Sequence, residues 1–101
     1  MADETFTTSV MIDCSTAHIT QRDSELLADQ DAMPMAVYDI PYGFLVYLGI
    51  DLIEGADELM RKEGLSEAFI TLVQKGRASG AQFMRLDEAG EVYDWLEQFD
   101  W

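Results

Sequence analysis

The densest hydrophobic stretch of the chain is Tyr42 to Gly49, uncharged, rich in aromatic and branched residues, and bounded by Pro41 and Gly49. It predicts a central strand. Alternation puts Tyr42, Phe44, Val46 and Leu48 on one face and Leu45 and Tyr47 on the other, so both faces call for cover. Met33 to Ile40, with Pro34 ahead of Met-Ala-Val-Tyr, reads as an edge strand that turns through Asp39-Ile40-Pro41 into the central one, as a hairpin.

Upstream, residues 5 to 14 partly alternate, and Val10, Met11 and Ile12 predict a short buried segment within a first strand. Ser15 to Thr20 breaks the pattern. Thr20 is a suitable N-cap, with Asp23 in the first turn, for a short helix from Gln21 to about Gln30. Only Leu26 and Leu27 give that helix an apolar stripe, which leaves Asp23, Glu25, Asp29 and Asp31 to solvent. After Gly49, the spacing of Leu52, Ile53, Ala56, Leu59 and Met60 predicts an amphipathic helix with Asp51 and Glu54 in capping-box-like spacing, weakened by Gly55 and ended by Gly64. Ser66 then caps a clearer helix: Leu65 and Ile70 form a hydrophobic staple, Phe69, Leu72, Val73 and Gly76 keep the 3.6-residue stripe, and Gly80 takes the left-handed C-terminal position. Gln82 to Leu86 reads as a last core strand, followed by a turn at Asp87 to Gly90.

The final stretch is ambiguous by pattern. Val92, Trp95, Leu96 and Phe99 fit a helical stripe, whereas Val92-Tyr93 after a glycine turn fits a short strand or an extended tail, and the strand is the reading adopted. The expectation is one α+β domain over residues 1 to 101: a small mixed or antiparallel sheet of four to five strands against two to three helices, in the order β-α-β-β-α-α-β, with a C-terminal strand or helix.

Composition changes the picture in one respect. Apolar residues make up 49% of the chain and charged ones 26%, as in ordinary globular domains, yet twenty Asp and Glu face six Lys and Arg for a net charge of -14. A domain of this length has a radius of gyration of roughly 13 Å and a diameter of about 34 Å, and fourteen charges span about 24 Å of duplex DNA. Gathered on one side, this charge imitates the field of a short nucleic acid; spread evenly, it serves solubility. Direct binding to nucleic acid is disfavoured, because phosphates demand a basic surface. No run is long and apolar enough for a membrane span, the N-terminus is acidic where a signal peptide is basic, and a lone cysteine fits a reducing compartment. A cytoplasmic protein is expected.

Candidate chemistry is sparse. Cys14 and His18 are the soft ligands or thiol-imidazole pair the chain offers, two where a structural zinc site uses four, with no oxyanion signature beside them. A structural role for both is the simpler reading, and no metal, cofactor or catalytic residue is expected. The alternative of a Cys14-His18 enzyme predicts that Cys14→Ala destroys activity without loss of stability. The C-terminal stretch is the more informative feature: Asp87, Glu88, Glu91, Asp94, Glu97 and Asp100 place six acids in fifteen residues with no base after Arg85, interleaved with Tyr93, Trp95, Phe99 and Trp101. It is either a solvated covering of the core or a contact surface, and exposure of the tryptophans decides between them.

The segment Ser15-Thr16-Ala17-His18-Ile19-Thr20, the strand Tyr42 to Tyr47, Leu86-Asp87 and the ending Phe99-Asp100-Trp101 resemble a family of small acidic proteins of unknown function encoded on bacterial plasmids, phages and integrative elements. The resemblance implies an α+β domain in a bacterial host cell and carries no catalytic residues. By analogy with acidic proteins in that setting, it implies an anti-CRISPR protein: a DNA-mimicking inhibitor that covers the basic DNA-binding surface of a host protein or CRISPR-Cas effector, as a monomer or weak homodimer. On this reading the contacts are Asp87, Glu88, Glu91, Asp94 and Glu97 with Trp101, and Asp29 and Asp31 as a second patch. The alternative is an accessory or regulatory protein of a mobile element that acts through protein contacts or homodimerises through the second sheet face near Leu45 and Tyr47.

Overall fold

A computed structural model describes residues 4–49 and 55–101, so Asp51, Leu52, Ile53 and Glu54 of the expected amphipathic helix lie outside the described residues. The element order is β1 (Met11–Ser15), α1 (Gln21–Ala28), β2 (Val37–Ile40), β3 (Gly43–Tyr47), α2 (Ala56–Lys62), α3 (Glu67–Ala78) and β4 (Phe83–Asp87), the α+β order that the pattern predicts. The four strands form one mixed sheet in the order β1-β4-β3-β2. β1 and β4 are parallel; β4 with β3 and β3 with β2 are antiparallel. β3 is therefore an inner strand and β2 an edge, joined by the expected hairpin.

The register explains the core. Cys14 pairs with Leu86, Leu86 with Phe44, and Met84 with Val46, and this face joins Leu27, Met60, Phe69, Ile70, Leu72 and Val73 from the helices in a single buried cluster. α3 supplies more of it than either other helix because its predicted stripe faces the sheet. Gly43 has to be glycine: a Cβ there would lie 1.7 Å from the Leu86 carbonyl oxygen. Gly80, at φ 90°, takes the left-handed position that ends α3.

Among the described residues, no helix lies over the opposite face of the sheet. Met11, Phe83 and Tyr47 form one row across it, with the Tyr47 and Phe83 rings 5.3 Å apart, and Asp13, Arg85, Leu45 and Tyr38 form the next, with an ion pair from Arg85 Nε to Asp13 Oδ1 at 2.6 Å.

Several local expectations are corrected. β1 starts only at Met11, and Val10 and Met11 are exposed, because Val10 precedes the strand and Met11 points to the uncovered face. Tyr42 sits in the hairpin turn, 67% exposed, instead of on the core face of β3. α2 starts at Ala56, directly after Gly55, which has φ 75° and stands as its N-cap. The segment after Gly90 is neither strand nor helix.

The largest correction concerns Asp23, which is fully buried. Thr20 is the N-cap of α1 as expected, and Asp23 completes a capping box with it, Asp23 Oδ2 accepting from Thr20 N at 3.0 Å. The same carboxylate also accepts from Ser66 N at 2.8 Å through Oδ1 and from the Ser66 hydroxyl at 2.6 Å through Oδ2. Ser66 in turn caps α3, its hydroxyl oxygen accepting from Phe69 N at 3.1 Å. One carboxylate thus ties together two helix N-termini, where backbone donors and dipoles favour negative charge.

Candidate functional site

The acidic C-terminal tail, residues 91 to 101, is held by the segment Ser15 to Ile19. Ser15 N–H donates to the Glu91 carbonyl at 2.8 Å, and Phe99 N–H to the Ala17 carbonyl at 2.7 Å. Between them stands His18, 2% exposed, in a 3-10 turn at Thr16–His18. Its Nε2 accepts from Tyr93 N–H at 2.9 Å, so Nδ1 carries the ring proton and donates to the Glu97 carbonyl, also at 2.9 Å. Tyr93 Oη donates to the Asp13 carbonyl at 2.8 Å, and Trp101 Nε1 to the Ile19 carbonyl at 2.9 Å. These bonds explain why no strand forms: the donors that a ladder would use are taken by a histidine ring and by carbonyls of a curled segment.

The tail has a period of its own. Tyr93, Leu96 and Phe99 are half-buried, three residues apart, and the residues between them are exposed. Glu91, Asp94, Glu97 and Asp100 recur at the same spacing and are all exposed. Trp95 and Trp101 are 65% and 52% exposed, so neither is spent on the core. The ammonium of Lys75 lies 5.7 Å from the centroid of the Trp95 ring, a cation-π contact.

The other expected contact residues are distributed over separate elements. Glu88 is exposed and Asp87 half-buried at the end of β4, where Asp87 Oδ1 accepts from Ala89 N–H at 2.8 Å. Glu88 and Trp101 line one cleft together with Ala28, the residue before Asp29. Asp29 and Asp31 are exposed between α1 and β2. Glu97 lies across the tail, lining a different cleft with Glu67 and Lys75. Among the described residues the ion pairs join Arg22 to Glu25, Arg61 to Glu58 and Glu67, and Arg85 to Asp13, so the acids from Asp87 to Asp100 remain uncompensated. Arg61 holds the Glu67 carboxyl below its ordinary range by hydrogen bonding to it. Residues Asp39 and Tyr42, which share the cleft of Glu88 and Trp101, were not among the sequence candidates. The available signal is Pro41, which marks a turn and so brings its neighbours to the surface.

Cys14 is buried, and burial first, with the Asp13 charge second, pushes its thiol up to about 11. That is the opposite of an activated thiolate. Both ring nitrogens of His18 are committed to tail backbone, so neither serves as a base toward the thiol. Among the described residues, no three His, Cys, Asp or Glu side chains converge on a point that a metal ion would occupy, and no buried side-chain nitrogen or oxygen lacks a hydrogen-bond partner. No helix among them is long and apolar enough to cross a membrane.

Residues 11–101 match the C-terminal domain of a family of unknown function, DUF5983, and the chain belongs to that family. No curated protein matches the chain. No solved structure matches it either.

Proposed function

We propose that this chain is a non-enzymatic inhibitor that presents an acidic, DNA-mimicking surface to the basic nucleic-acid-binding site of a host protein, with an anti-CRISPR role against a CRISPR-Cas effector in the bacterial cytoplasm as the specific form of that reading. The observation that carries it is the tail: four acids at a spacing of three, all exposed, with exposed Trp95 among them and exposed Trp101 directly after the last, on a backbone fixed by hydrogen bonds to Ser15, Ala17 and His18. A merely solvated cover of the core has no need to expose two indoles, whereas a contact surface uses them as anchors. Opposite potentials speed such an encounter and make it salt-sensitive.

The test is capture from cells containing CRISPR-Cas effectors and other basic nucleoprotein complexes, at low and high salt. The expected result is one effector subunit retained at low salt and displaced by added duplex DNA. A variant carrying Glu91→Lys, Asp94→Lys and Glu97→Lys, shown by circular dichroism to be folded, should lose both capture and inhibition. Full inhibition by that variant would overturn the electrostatic reading.

A second reading has its own observation. The uncovered sheet face exposes Met11, Tyr38 and Tyr47, with Leu45 half-buried among them, and supports an accessory protein that pairs with a second copy. It predicts a stable dimer whose association ignores salt, measured by sedimentation.

A further inference from the structure

We infer that the cleft between the β2-β3 turn and the C-terminal tail is a receptor for an arginine side chain of the partner protein. This rests on the proposed reading of the chain as a binder of a basic protein surface and names the group that surface inserts. The cleft has a volume of about 310 Å³ and is walled by Asp39, Pro41 and Tyr42 of the hairpin, Glu88 behind β4, and Trp101 of the tail. Ligand pockets span roughly 300–1,000 Å³, so this one suits a side-chain-sized group better than a cofactor.

Its chemistry favours a cation. Two carboxylates and no base are among its lining residues, and among the described residues neither Asp39 nor Glu88 is in an ion pair. Tyr42 and Trp101 line the same space and are more than half exposed, which leaves aromatic surface for a visiting charge. The walls are also fixed before any partner arrives. The Trp101 indole is fastened to the Ile19 carbonyl, and the backbone N–H of Glu88 donates to the Tyr42 carbonyl at 3.0 Å, joining the turn after β4 that carries Glu88 to the hairpin turn that follows Asp39 at the end of β2. Arginine fits this set better than lysine, because a planar guanidinium stacks on an aromatic ring while its edge donates to a carboxylate in a bidentate fork.

The test uses the full chain carrying Trp95→Phe, so that Trp101 is the single fluorescent indole, titrated with capped Gly-Arg-Gly and with its lysine and citrulline counterparts. The arginine peptide should produce a saturable change in Trp101 emission, the lysine peptide should bind several-fold more weakly, and the neutral citrulline peptide should not bind. Asp39→Asn with Glu88→Gln should weaken arginine binding at least tenfold. Equal response to arginine and citrulline, no saturable response, or unchanged binding by the double variant would overturn the assignment. The tail variant with Glu91, Asp94 and Glu97 reversed leaves the cleft walls in place and should retain arginine binding. Capture of an effector without arginine binding would sink the cleft and leave the function standing; arginine binding without capture of any basic partner would do the reverse.

Discussion

Replacing His18 by alanine should release the acidic tail while leaving the sheet and helices folded. Among the described residues, six hydrogen bonds fasten the tail to the body, from Ser15, Ala17, His18, Ile19 and Asp13, and the imidazole makes two of them. Each is worth about 1 kcal/mol net, so His18→Ala weakens attachment by about 2 kcal/mol. With every 1.4 kcal/mol a factor of ten, the detached population rises about 30-fold. The Phe99 amide reports it directly, because its N–H is bonded to the Ala17 carbonyl two bonds further along the same clamp. Hydrogen exchange at Phe99 should accelerate about 30-fold, while amides of β3 and β4 keep their protection. His18→Gln, which offers both a donor and an acceptor, should recover part of the loss. Phe99 exchange within threefold of the parent in His18→Ala would refute the clamp, since the tail would then be held by its half-buried Tyr93, Leu96 and Phe99 alone.

Two further outcomes follow from buried groups. Asp23→Ala orphans Thr20 N–H, Ser66 N–H and the Ser66 hydroxyl at once; at about 1–3 kcal/mol for each unsatisfied buried donor, and with non-additivity inside one network, the expected loss is about 3 kcal/mol, read by urea unfolding, and a loss below about 1 kcal/mol would contradict the double-cap geometry. The Cys14 thiol, raised to about 11 from an ordinary 9.0, should alkylate about 100-fold more slowly at pH 8 in the folded protein than in urea, because its thiolate fraction falls by that factor; the stability gained from keeping it neutral is complete below pH 9 and is lost as pH rises through 11. Equal alkylation rates in the two states would show the thiol to be exposed.

The sequence carried the fold wherever its signals were local. The α3 stripe, the Thr20 and Ser66 caps and Gly80 depend on residues close together in the chain and match the structure, and the hairpin forms as expected but with its edge strand starting at Val37 and its turn at Pro41-Tyr42 instead of Asp39 to Pro41. Asp23 was misread as solvated because only half of its bonding is local; Ser66 lies 43 positions away, and the capping box alone says nothing of burial. The tail was misread for a related reason. Its inward residues repeat every three positions, between the strand's two and the helix's 3.6, so both templates matched partly and neither was right. Its partners are a histidine ring and backbone carbonyls about 80 positions upstream, which no periodicity encodes. The segments Ser15 to Thr20 and Phe99 to Trp101 were noticed separately as sequence motifs. Their juxtaposition in one clamp is what the structure adds, through the bonds from Phe99 to Ala17 and from Trp101 to Ile19.

Charge density sets a limit on how such a tail acts. Three residues of chain reach at most about 10 Å, so acids spaced by three present as little as one charge per about 10 Å, against one per about 3.4 Å along a single DNA strand. Imitation of a phosphate backbone therefore requires the turn between Tyr93 and Leu96, which shortens the tail, together with Asp87, Glu88, Asp29 and Asp31 from other elements. The sparser the charge, the more of the contact falls to groups that are not acids. Trp95 and Trp101 occupy that place: they are large and exposed, and Trp101 is held at a fixed position by its own indole N–H. On the proposed reading, the acids then account for the rate and salt dependence of capture, and the indoles for how long the complex lasts.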